Sequence, residues 1–240
     1  MKSQGLSMKF RLGSPRRRLL LAMAAASGLP AVAWADLLSQ LTQRDAGNGL
    51  KAALERGTQA AVDALGKTDG FWGNERVRIE LPEWLHKAEG ALRMLGRQQE
   101  VDDLHVGINR AAEQAVPQAR SLLVAAVRSM TVQDAKGVLT GGDNSATQYF
   151  QAKTRAPLGT RFLPIVTKVT QRIGLAKQYD GLAQRAQSLG VLHEDASIEH
   201  HVTNRALDGL FLMIGDEEKK IRSDPAATGS ALLKKVFGAL

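Results

Sequence analysis

The sequence predicts an all-α multi-helix bundle, and three observations lead there. Almost every segment repeats its apolar residues at three-and-four spacing, the period of a helix with one buried face. Helix start and stop signals punctuate the chain at ordinary helix lengths. Only one short stretch, Val77-Arg78-Ile79-Glu80-Leu81, alternates apolar and charged residues as a strand does, and one isolated strand makes no sheet.

In chain order, Leu50, Leu54, Gly57, Ala61, Ala64 and Leu65 form the first apolar stripe. Residues 66–81 then read as a long ordered loop laid over the helices. It contains the turn-rich Gly70-Phe71-Trp72-Gly73-Asn74, and Phe71 and Trp72 are its expected anchors. Loops this long inside a compact domain are often functional, although a structural crossover has the same appearance. Pro82 sits where a first helical turn tolerates proline. The helix after it carries Leu85, Ala88, Leu92 and Leu95, with Gly96 as its stop. Val101, Leu104, Ile108, Ala111, Ala112 and Ala115 make the next stripe, Pro117 marks a break, and 118–130 is apolar-periodic again. Thr131-Val132-Gln133-Asp134 reads as a helix cap with a carboxylate in the first turn. Further helices are expected at about 145–157, 161–173, 176–189, 198–223 and 229–237.

The first thirty-five residues have the form of an export signal. They carry six basic side chains and no acidic one, then an almost wholly apolar run from Leu19 to Leu29, then Ala33-Trp34-Ala35. A basic start, a short apolar middle and an A-x-A end are the three parts of a secretory signal. The apolar run is shorter than the roughly 20 residues of a membrane-spanning helix. Arg16-Arg17 leaves the twin-arginine route open beside the general one, and Met8 is an alternative start to Met1. Cleavage after Ala35 leaves a single domain, 36–240, directed to the periplasm.

That division changes the charge. The chain has 32 basic and 24 acidic residues, and without the six in the signal the basic count falls to 26. The domain is therefore nearly neutral, which argues against nucleic acid as a partner. There is no cysteine, so thiol catalysis, disulfides and cysteine-ligated metals are excluded.

Several motifs invite a chemical reading. Gly66-Lys67-Thr68 resembles the end of a phosphate-binding loop, but Ala61 stands where that loop needs glycine, and a helix precedes it where a strand should. His193, Glu194, Asp195, Glu199, His200 and His201 cluster in sequence. Neighbouring residues on a helix point about 100° apart, so His200 and His201 do not face one metal there. The patch reads as a polar loop and helix start, capped by Asp195 or Ser197. No metal and no cofactor is expected. Gly141-Gly142-Asp143-Asn144-Ser145 opens a helix, and either self-capping by Asp143 or Ser145 or an anion at its free N–H groups accounts for it.

The run from Ala206 to Gly215 is apolar nearly all round, as in a helix at the centre of its domain. Leu207, Leu210, Phe211, Ile214 and Ile221 share one face, and Glu218 falls within it. Arg222 comes one turn later, in the favourable order for an ion pair. Asp208 needs a partner from another helix. His105, Asn109 and Glu113 form an i, i+4 row beside the apolar stripe of their own helix and are expected to face water, with a cleft as the alternative. The binding candidates are Asp208, Glu218, Arg222, Asn109 and Glu113.

Asp208-Gly209-Leu210-Phe211, Glu217-Glu218, Ile221-Arg222 and Pro225 carry a further resemblance. Asn109-Arg110-Ala111-Ala112-Glu113, Gly70-Phe71, Thr147-Gln148-Tyr149-Phe150 and Leu232-Leu233-Lys234-Lys235-Val236-Phe237-Gly238 add to it. Together they resemble a bacterial exported family catalogued as domain of unknown function four-one-nine-seven, over essentially the whole domain. The resemblance implies an envelope location in Gram-negative bacteria and no particular activity, cofactor or catalytic residue. His201 departs from the pattern, where an aromatic residue such as tyrosine is expected.

Two function classes remain: a non-enzymatic envelope protein that binds another protein or the envelope, and a small-ligand carrier or hydrolase with a polar cleft between helices. Buried charges with protein-only partners favour the first, and the same charges opening into a pocket favour the second. Membrane-surface contact through the tail 229–240 is a third and weaker option.

Overall fold

The apolar periods become helices at nearly every place they occur. The computed structural model describes residues 31–172, 174, 177, 179–182, 184 and 197–225, with side chains from Gly47 onward except that of Ala88. The helices are α1 (Ala31–Leu65), α2 (Glu83–Met94), α3 (Gln98–Ala115), α4 (Ala119–Ser129), α5 (Val132–Thr140), α6 (Ser145–Arg172) and α7 (Ile198–Ser223). A 3₁₀ turn, Val116–Gln118, joins α3 to α4 at Pro117. Among the described residues there is no strand, and no helix is long and apolar enough to cross a membrane. The chain divides into two compact units, Met1–Thr42 and Gln43–Leu240. Of the first, the described part is helical backbone from Ala31. The second holds every described side chain, and with them the core and helices α2 to α7.

Local chemistry sets the boundaries. Pro82 precedes α2 at its N-cap. Gly96 ends it with a positive φ of 71°, and the Arg97 N–H closes the turn on the Leu92 carbonyl at 2.9 Å. Thr131 and Asp134 form a reciprocal capping box at the start of α5. Ser197 caps α7 through the His200 N–H.

Helix α6 corrects the sequence reading, which expected a break between 157 and 161. The helix runs unbroken through Pro157 and Pro164. A proline inside a helix costs about 3 kcal/mol or more, because it removes a hydrogen bond and crowds the preceding turn. Here both prolines lie on the exposed face, as do Lys153 and Thr160, whose carbonyls lose a partner. The opposite face, Phe150, Thr154, Leu158, Phe162, Val166 and Val169, is buried without interruption. Packing of that stripe outweighs the two interruptions.

The core is built around α6 and α7, which run antiparallel. Glu218 meets the α6 start at Ala146, while Asp208 meets Arg155 further along it. Helix α6 also packs on α3, α4 and α5, so the centre belongs to this pair and not to α7 alone. Leu207, Leu210, Phe211, Ile214, Glu218 and Ile221 are all buried, as the α7 pattern predicts. The expected helices at 176–189 and 229–237 lie wholly or largely outside the described residues.

Candidate functional site

Glu218 is 2% exposed, and five hydrogen bonds converge on its carboxylate. The Ala146 N–H donates to Oε1 at 2.9 Å, and the Thr147 N–H and hydroxyl donate to Oε2 at 2.8 and 2.7 Å. Arg222 donates to Oε1 through Nε at 3.0 Å and Nη2 at 2.8 Å. The same Nη2 reaches the Val138 carbonyl and the Ser145 hydroxyl. The free N–H groups at the start of α6, which the sequence left to Asp143, Ser145 or an anion, are thus capped by a carboxylate from α7. Negative charge is favourable at that end of a helix, and the bonds are charge-assisted. The Glu218–Arg222 pair pins α5, α6 and α7 together.

A second glutamate does the same for the loop 66–82. Glu113 is 4% exposed, and its Oε1 accepts the Phe71 and Trp72 N–H groups at 3.1 and 3.2 Å. Arg110 donates to its Oε2 at 2.8 Å and to Asp69 at 2.7 Å. Asn109, fully buried, completes the hold. Its amide oxygen accepts the Ile79 N–H at 2.8 Å, and its amide nitrogen donates to the Ile79 carbonyl at 2.9 Å. Asn109 therefore pairs with Ile79 as a neighbouring strand would, which is why the strand-like stretch exists without a sheet. Val77, Ile79 and Leu81 point into the core, and Phe71 is completely buried. The sequence expectation that His105, Asn109 and Glu113 face water is overturned for Asn109 and Glu113, which are buried, while His105 is half-buried. The loop covers them, and its own backbone supplies the partners.

His105 lies against the Ile79 carbonyl at 3.1 Å and the Glu80 carboxylate at 3.4 Å. Burial pushes its imidazole below the ordinary histidine range, against the pull of Glu80. His201 contacts the Glu80 carbonyl at 2.9 Å and is lowered in the same way, chiefly by burial. Among the described residues no group of three metal-ligating side chains is arranged to hold an ion.

A third region is open to solvent. A groove of about 490 Å³ lies between α6 and α7, with Arg76 of the loop at its lip. Asn144, Thr147, Gln148 and Gln151 line one side; Asp208, Phe211, Gly215, Asp216 and Lys219 line the other. Its carboxylates are paired. Arg76 grips Asp216 at 2.5 and 3.1 Å and holds its carboxyl below the ordinary range. Arg155 binds Asp208 at 2.7 Å. Asp208 is half-exposed, so the buried charge the apolar run suggested is a surface ion pair.

Two glycines in α7 differ in their surroundings. A Cβ on Gly209 would meet the Phe71 ring at 2.8 Å and Val77 at 3.3 Å, so packing under the loop requires glycine there. A Cβ on Gly215 would find Thr147 at 3.5 Å, an ordinary contact. Glycine inside a helix costs about 1 kcal/mol relative to alanine. Packing explains the first glycine and leaves the second unexplained, and the second lines the groove.

The five candidates therefore separate. Glu218 pairs with Arg222, as its spacing predicts, in the buried clamp. Asn109 and Glu113 sit under the loop, and only Asp208 lines the groove. Sequence reasoning missed Asn144, Gln148, Gln151, Gly215 and Lys219. The only signal for them was helical spacing on two helices whose pairing a single sequence does not give. The membrane-contact tail 229–240 and His193–Asp195 lie outside the described residues.

A family model described as Protein of unknown function (DUF4197) matches residues 40–238. The chain belongs to this family. Both glutamate clamps and the whole groove lie inside the DUF4197 region. Comparison with curated proteins and with solved structures found no match.

Proposed function

We propose that this DUF4197 member is an exported envelope protein that works by binding a partner, with the α6–α7 groove as its binding face. The observation that carries the reading is where the carboxylates are engaged. Glu113 and Glu218 have both oxygens taken up by backbone N–H groups and an arginine, and Asp208 and Asp216 enter the groove already paired. A general acid or base must reach the reacting proton. The groove instead offers exposed amides, paired carboxylates, Lys219 and the exposed Leu212, groups suited to recognition. Export rests on the basic, apolar and A-x-A segments of residues 1–35. N-terminal sequencing of protein from a periplasmic fraction should begin at Asp36, and an intact Met1 or Met8 start there would contradict cleavage.

The binding reading is tested by photocrosslinking in producing cells. A benzoylphenylalanine at Gln148 should capture a partner, and the same probe at exposed Lys136, outside the groove, should not. Equal capture from both positions, or from neither, would contradict the groove as the binding face. The groove volume favours a second reading, a small-ligand carrier or hydrolase, since pockets of about 300–1,000 Å³ suit small ligands. That reading expects a small-mass adduct in native mass spectrometry, lost on denaturation, in place of a protein crosslink.

A further inference from the structure

Resting on the groove reading above, we infer that the ligand is an extended polypeptide segment bearing an acidic group, laid along α6 with its main chain over Gly215.

Three observations lead to this class. The first is Gly215 itself. It weakens a central helix, nothing packed around it needs the missing side chain, and it lines the groove. Glycine in such a place lets another backbone approach closely. The second is the facing row of amides. Asn144 and Gln148 are exposed, and their side chains make no hydrogen bond among the described residues; the same holds for Gln151, one turn on. Four helical residues rise about 6 Å, close to the two-residue repeat of an extended chain at about 6.8 Å. A carboxamide carries both a donor and an acceptor, as a peptide unit does. Asn144 and Gln148, four residues apart, match every second peptide group of a strand lying alongside, and Gln151, about 4.5 Å beyond Gln148, offers a further amide off that repeat. Within the protein, Asn109 already grips the extended backbone at Ile79 through both its N–H and its carbonyl.

The third observation is charge. Asp216 is paired with Arg76 and Asp208 with Arg155, which leaves Lys219, whose charge also reaches Asp216, as the lining charge with no close ion pair among the described residues. Lys219 is next to Glu218 in the chain, and Glu218 binds the start of α6, so this cation stands at the Asn144 end. An acidic side chain or terminal carboxylate of the ligand belongs there.

The test pans a random heptapeptide phage library on the full chain and remakes enriched sequences as labelled peptides for fluorescence anisotropy. Chitotetraose is run in parallel as a saccharide of comparable reach. Expected are peptides with an acidic residue whose affinity falls at least about tenfold on Gly215→Leu and on Lys219→Glu. Methylating alternate peptide nitrogens should weaken them similarly. The Gln148→Ala/Gln151→Ala double variant, altered only at exposed side chains, should also lose binding and covers the case that Gly215→Leu fails to fold. Peptides that bind all variants equally, or no enrichment, would overturn the inference. Chitotetraose binding that Gly215→Leu removes, with no such peptide, would overturn the peptide class and leave the groove reading standing. No binding of either kind that responds to these variants would overturn both.

Discussion

The two buried glutamates hold the molecule by the same device at two depths. Glu218 and Glu113 each accept two consecutive backbone N–H groups and each pair with an arginine on their own helix. They differ in what is held. Glu218 and Arg222 together join α5, α6 and α7, and the Arg222 side chain is 14% exposed. Glu113 holds one loop, and its Arg110 side chain is 31% exposed. A carboxylate that looks catalytic by burial is here the anchor of a chain segment.

The sharpest way to break the comparison is to remove each carboxylate. Glu218→Ala strands two helix N–H groups and takes the carboxylate from the part-buried Arg222, and should lower global stability by about 3–5 kcal/mol in urea unfolding. Glu113→Ala strands two loop N–H groups while Arg110 turns to water and Asp69. It should cost about 2–3 kcal/mol, with Trp72 fluorescence shifting before the global transition. Equal losses, or a larger one for Glu113, would erase the distinction. Asn109→Ala removes the pairing with Ile79, and a loss of about 1–3 kcal/mol in the same measurement is expected.

Acid should act on the loop side of the comparison. Burial holds the folded pKa values of His105 and His201 below the ordinary histidine value. The unfolded chain therefore binds protons first. The stability these groups contribute is complete above the unfolded pKa, near 6.5, and declines as pH falls toward the folded values. Replacing both histidines by glutamine should flatten that part of the stability profile, whereas a profile unchanged by the replacement would contradict it. The smallest effect is expected at the groove. Asp208→Asn breaks a half-exposed pair and should change stability by less than about 1 kcal/mol.

The line between local and distant interactions also divides the legible from the illegible in the sequence. The α7 face, the Glu218–Arg222 pair and the Thr131 capping box were legible, because each depends on residues within a few turns, and Phe71 was legible as an anchor because a large apolar ring in a turn-rich segment seeks burial. The burial of Asn109 and Glu113 was not. Their partners are backbone groups about thirty to forty residues away, at Ile79 and Phe71, and backbone polarity leaves no mark in composition. The continuity of α6 was misread because the cost of proline is local and visible, while the burial that offsets it comes from packing across the core. The groove was least legible of all. It exists only where two helices meet, and its exposed glutamines look like any solvated face.

The most direct test of the central claim, that the buried glutamates serve the fold and leave the groove for recognition, is residue-resolved amide hydrogen exchange in the Glu113→Gln and Glu218→Gln variants. A glutamine keeps the size: at 218 either orientation turns its NH2 on a clamped N–H group, and at 113 the oxygen stays on Phe71 and Trp72 only with the NH2 turned on Arg110 and the carboxylate charge lost. The account predicts faster exchange confined to Phe71, Trp72 and their loop neighbours in the first variant, and lost protection across α5, α6 and α7 in the second. Wild-type protection throughout the Glu218→Gln variant would show that its carboxylate is not needed to hold the helices, and would contradict the account.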